Sequence, residues 1–305
     1  MEIFLSLFTK IIPLYIYILF GFITGKYLKI NKQYIAALLI YIIAPLVIFH
    51  GLYTSKIDWR IIGLPLIFLG IACLISLTFY FLLKSYFKDN TRNLLGFSAG
   101  NANTGYFGLP VSIILFGENA VNIVTLAIIG MILYENTLGF FITARGNHTV
   151  GESVNKIIRL PAVYAFIIGL LFNVVNLNLG PVYYGIIFFV RQIYSVLGMM
   201  IIGMALSEIS KFIMDWKFII LTFLAKFAAW PLLMIVFISM DNNFFHIFDG
   251  ITHQIMLILS VVPLAANTVA FATLLKVQPQ KAAVTVLLST VFALFYIPLI
   301  VSVFL

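Results

Sequence analysis

The sequence predicts an all-α integral membrane protein with ten transmembrane helices, on three observations. Of 305 residues, 63% are hydrophobic and 9% charged, which is more apolar surface than a soluble domain of this size can bury. The apolar residues fall into ten runs, most of them near the roughly 20 residues that cross the hydrocarbon core. Two of those runs, at matching places in the two halves, are interrupted midway by Pro, Gly and Asn.

Cutting the chain at charge clusters and turn residues gives spans 11–27, 35–53, 61–83, 94–116, 120–144, 160–175, 182–206, 218–238, 255–275 and 282–304. The first lacks the basic start and small-residue cleavage site of a secretory signal and reads as a retained helix. The single Cys73 rules out an internal disulfide framework. An even number of crossings puts both termini on one side. With the termini outside, 13 of the 18 Lys and Arg fall in cytoplasmic loops, among them Lys26, Lys84, Arg92, Arg145, Lys211 and Lys281; only Lys10, Lys56 and Arg60 lie outside. The positive-inside rule then predicts a multi-pass protein of the cell membrane with both termini extracellular. The net charge of +8 is in this reading a matter of topology, and no nucleic-acid partner is expected.

The longest polar linker divides the spans five and five. Residues 1–146 form a first five-helix repeat, 147–156 a cytoplasmic linker and 157–305 a second repeat. Five is odd, so halves that share a fold must be inverted relative to each other.

The interruptions are the informative part. The fourth span contains "GNANTGYFGLP", in which Gly105, Gly108 and Pro110 break the helix and Asn101, Asn103 and Thr104 offer hydrogen bonds. The ninth reads "SVVPLAANTVAFATLL", with Pro263 as the break and Asn267 beside it. Proline removes a donor and clashes with the preceding turn, and glycine loosens the helix. Backbone groups freed in lipid cost several kcal/mol each, so such a break must be buried in protein or line a wet cavity. Paired breaks at equivalent positions point to a central binding site, with half-helix N-termini offering N–H groups to an anion.

Three charges fall inside spans: Glu135, Arg191 and Lys226. A central charge costs about 2.5–3.5 kcal/mol even on lenient insertion scales, so each needs a reason. Arg191 lies about ten residues from the outer end of its span and can snorkel. Lys226 either complements an anionic substrate or pairs with Glu135, and the sequence leaves both open. Glu135 is also a candidate proton carrier. No phosphate loop, nucleophile–base pair or metal-ligand set of suitable spacing is found, so the sequence predicts neither an enzyme nor a cofactor or metal. His246, Asp249 and His253 share an outer loop and read as solvated.

"ANTGYFGLP" followed by "FGENAV", "VPLAANTVAFATLLKVQP", "YIIAPLVIFHGL" and "GMMIIGMALS" together resemble the auxin efflux carrier family of PIN-like transporters, which includes a bacterial malate or malonate permease branch. The resemblance implies two inverted five-helix repeats with broken crossing helices in the fourth and ninth spans. It implies a scaffold of spans 1, 2, 6 and 7, forming a homodimer, and a transport domain of spans 3–5 and 8–10 that moves like an elevator. By position Asn103 and Pro110 match the first crossover Asn and Pro, Pro263 the second crossover Pro, and Asn267 the Asn of bacterial members. Thr268 stands where plant members carry another proline, which favours the bacterial branch. The implied function is secondary transport of small organic anions: mono- or dicarboxylates such as malate, or auxin-like carboxylates. The alternatives are a sodium-coupled symporter of the bile-acid-transporter type and a membrane receptor that does not transport.

Overall fold

The computed structural model describes residues 2–54, 59–117, 120–208 and 214–304. Lys56 and Lys211 of the charge pattern and Glu118 of "FGENAV" lie outside the described residues. Among those described, regular structure is entirely helical: α1 (Glu2–Lys26), α2 (Lys32–Thr54), α3 (Trp59–Leu82), α4 (Thr91–Gly100), α5 (104–116), α6 (120–144), α7 (Val150–Ile158), α8 (Pro161–Val174), α9 (Gly180–Ser207), α10 (Trp216–Phe245), α11 (Gly250–Ser260), α12 (Asn267–Leu274) and α13 (Pro279–Phe304).

Six of these are long and apolar enough to cross a membrane, or seven if α7 and α8, bent by 42° where they join, count as one. The sequence predicts ten crossings, and the difference has local causes. The fourth and ninth predicted spans are each split into two short helices, α4 with α5 and α11 with α12, and neither half reaches the length a crossing needs. The first predicted span lies, but for Tyr27, within the 25-residue α1, of which only Tyr15–Lys26 enters this count.

Glycine sets the closest helix contacts. α1 packs along α9. A side chain on Gly21 would collide with the backbone of Met200, and one on Gly203 with the Ile18 carbonyl and the Phe22 amide. This is the small-residue seam that lets membrane helices approach without a hydrophobic driving force. α2 packs against α8, where Asn173 Nδ2 donates to the Leu52 and Tyr53 carbonyls, each at 2.9 Å. α3 lies against α4 and α6, and α4 against α10, so the broken helices are enclosed.

The loop between α10 and α11 differs from its expected character. His253 is buried, its Nε2 2.8 Å from Asp241 Oδ2. Asp241 also accepts from the Ile247 and Phe248 amides, each at 3.0 Å. Asp249 caps α11 by accepting from the Thr252 amide at 2.8 Å, which holds its carboxyl below the usual range. His246 and Asp249 are exposed, as expected of a solvated loop, whereas His253 departs from it: the turn through His246, at φ 50°, folds Asp241 back onto backbone donors and His253 into a latch. No group of three or more potential metal ligands occurs among the described residues.

Candidate functional site

The backbone is interrupted within the predicted stretch, at residues 101–103, whereas Gly105, Gly108 and Pro110, expected to break the helix, lie in the helical turns that follow. α4 ends at Gly100, residues 101–103 are extended, and Thr104–Gly108 forms a π-turn leading into Leu109–Phe116. Pro110 sits in the first turn of that helix, where its missing N–H costs nothing. In the second half, residues 261–266 leave the helix around Pro263 and α12 starts at Asn267. The two breaks touch: the Asn103 amide donates to the Pro263 carbonyl at 2.8 Å. A side chain on Gly108 would come within 2.6 Å of the Leu259 Cδ2 methyl, so the Leu259 side chain packs into the space that glycine leaves at the crossing.

The freed groups are satisfied from several sides, as backbone in an apolar interior requires. At the end of α4 the Phe97 carbonyl accepts from Tyr134 Oη at 2.8 Å, and the Ala99 carbonyl from Trp230 Nε1 at 3.0 Å. At the end of α11 the Ser260 carbonyl accepts from Lys226 Nζ at 3.1 Å. Beyond it, the Leu264 amide donates to Ser289 Oγ at 3.2 Å. Asn101 takes two roles, accepting from the Ala102 amide and donating to Thr268 Oγ1 at 3.1 Å across the crossing.

Beside the crossing lies a cavity of about 500 Å³, a size that suits a small organic molecule. Its wall includes Asn103, Thr104, Gly105 and Pro110 from the first break, Ala265 and Asn267 from the second, Glu135 from α6, and Arg191, Gln192 and Tyr194 from α9. Asn267 Nδ2 donates to Glu135 Oε2 at 2.8 Å and lies 2.9 Å from Tyr194 Oη. A second cavity of about 370 Å³ adjoins it, lined by His50, Thr54 and Thr125, and Arg191 stands in the wall of both.

Of the predicted ligand-contacting residues, Asn103, Thr104 and Asn267 share this wall, and Asn101 supports it from behind. Pro263 and Gly108 shape the crossing without lining the cavity. Lys226 is placed otherwise than either sequence reading. It is fully buried, lines neither cavity and makes no ion pair with Glu135 among the described residues. Its ammonium sits 4.6 Å above the Trp230 ring and meets the carbonyl end of α11, where helix-dipole and cation–π attraction both favour a cation. Arg191 does not simply snorkel; it faces the cavities. Gln192 and Tyr194 were not singled out from the sequence. The polar "RQ" pair inside the apolar "IIFFVRQIY" run was the available signal for Gln192, whereas nothing marks Tyr194 among 15 tyrosines.

Residues 6–155 match the family described as membrane transport protein, that of auxin efflux carriers and PIN-like proteins. That match covers just under half of the chain, which is similar to the family over its first half. Residues 191–305 match the sodium bile acid symporter family, also a family of transporters. No curated protein matches the chain. Both halves of the chain thus match families of secondary membrane transporters, and with its several apolar helices this is a multi-pass membrane protein.

Proposed function

We propose that the protein carries small organic anions, mono- or dicarboxylates such as malate, across the cell membrane by alternating access. In this reading the chain crosses the membrane ten times as two inverted repeats, 1–146 and 157–305, joined by the 147–156 linker, with both termini outside. Spans 1, 2, 6 and 7 are the scaffold of a homodimer. Spans 3–5 and 8–10 carry the site between the two faces of the membrane.

One observation carries the proposal: two helix breaks, far apart in sequence, bond to each other and open onto one cavity. Asn103 and Asn267 supply amide hydrogen bonds to the substrate. The N-termini of α5 and α12 add N–H groups and the positive ends of their dipoles, which favour an anion. The wall joins α9, which the reading assigns to the scaffold, to residues assigned to the transport domain. A ligand held between them would report on movement of one against the other.

Counterflow of a labelled carboxylate in proteoliposomes tests the reading; saturable exchange is expected, and saturable binding without flux would make the protein a receptor. The bile acid symporter match over residues 191–305 favours one second reading, a sodium-coupled symporter. Imposing a sodium gradient on the same vesicles separates the two, since only the symporter accelerates uptake.

A further inference from the structure

The cavity is lined by one basic and one acidic side chain that are not joined. Arg191 and Glu135 both line it, yet no ion pair links them among the described residues. Their relative placement follows from α9. Arg191 and Tyr194 are three apart, so they share one helix face one turn apart. Tyr194 Oη and Glu135 Oε2 meet at the same amide, Asn267 Nδ2. Arg191 and Glu135 thus enter one cavity from α9 and α6, with Tyr194 and Asn267 joining the two elements beside them. Glu135 uses one oxygen toward Asn267 and retains lone pairs for another donor.

We propose that the substrate is a small monocarboxylate with a hydrogen-bond-donating group beside the carboxylate, a hydroxyl or an ammonium, which bridges Arg191 and Glu135. This rests on the carrier reading above and narrows it. The guanidinium fork takes the substrate carboxylate, for which its planar pairs of N–H groups are suited. The donor on the neighbouring carbon reaches Glu135. A second carboxylate in that position would meet the Glu135 carboxyl, to which it cannot donate a hydrogen bond and by which, when Glu135 is ionised, it is repelled. Dicarboxylates are therefore disfavoured, although they belong to the range proposed above.

Competition against labelled lactate on the purified full-length protein tests this, with alanine, propionate and malate as competitors at neutral pH. Lactate and alanine are expected to bind about tenfold or more tighter than malate, with propionate between, because a buried polar group left unpaired costs more than one hydrogen bond gains. Arg191→Gln should weaken every carboxylate by about tenfold or more, with partial recovery in Arg191→Lys. Glu135→Gln should remove the malate penalty and shrink the lactate–propionate gap. Malate binding as tightly as lactate to the wild type overturns the inference, as does an unchanged ranking in Glu135→Gln. If Glu135→Gln does not fold, the wild-type ranking decides alone. Tight malate binding with flux keeps the carrier reading and rejects this one; no binding or flux with any carboxylate rejects both.

Discussion

The two helix breaks do the same thing to the backbone and are built from opposite materials. The first, Asn101 to Gly108, is polar, and its own side chains enter the cavity or tie down neighbouring amides. The second, Val261 to Ala266, is apolar apart from its backbone, and its freed groups are satisfied by residues from elsewhere: Lys226, Ser289 and the Asn103 amide. The carbonyl ends differ as well. α4 is closed by two neutral donors, Tyr134 and Trp230, and α11 by an ammonium. The contrast teaches that a break can serve as a binding surface or as a support. The first break faces the ligand space; the second contributes Asn267 at its exit and otherwise holds the crossing in place.

The most disruptive way to test this division is Gly108→Val. A first side-chain carbon there meets the Leu259 Cδ2 methyl at 2.6 Å, and although that side-chain tip can shift, the two further methyls of valine must also fit beside Val262, so the crossing is overpacked and the Asn103–Pro263 bond strained. Transport is expected to fall about a hundredfold or more, with a lowered Tm, since overpacking alone costs about 1–3 kcal/mol. Next in size is Asn103→Ala, expected to weaken carboxylate binding about tenfold while expression persists. Lys226→Met sharpens the comparison from the other side: as Lys226 lines neither cavity, affinity is expected to stay within about twofold. A loss as large as that of Asn103→Ala would place Lys226 in the binding surface after all.

The second break was legible because proline acts locally: Pro263 lies in the non-helical stretch 261–266, whereas Pro110 is accommodated in the first turn of Leu109–Phe116 and marks the first break only as its neighbour. Asn103, Thr104 and Asn267 were visible as polar side chains where lipid-facing helices carry none. Two features were not legible. The partner of Lys226 is a backbone carbonyl 34 residues away, and carbonyls have no sequence signature, so only carboxylates came into question. The shared contact of Glu135 and Tyr194 through Asn267 depends on three helices meeting, which periodicity within any one of them cannot reveal. The latch around Asp241 and His253 was likewise hidden, because its partners are amides in a turn whose shape depends on a left-handed residue at His246.

The finest test concerns a single hydrogen bond at the second break. Leu264 follows Pro263 and has left the helix, so its amide has no carbonyl one turn back to bond with; Ser289 Oγ, from α13, accepts it while donating to the Val286 carbonyl at 2.8 Å. Ser289→Ala removes the acceptor without adding bulk, and the Leu264 amide is left buried and unpaired, at a cost of about 1–3 kcal/mol in stability. Val286 loses little, since its carbonyl remains within helical α13. If the second break is a support, the variant should lower the Tm and leave affinity for carboxylates unchanged within about twofold. Ser289→Thr, which keeps the hydroxyl, should recover most of the lost stability. An affinity loss in the alanine variant without any change in Tm would mean that this break also acts on the ligand, and the division between the two would not hold.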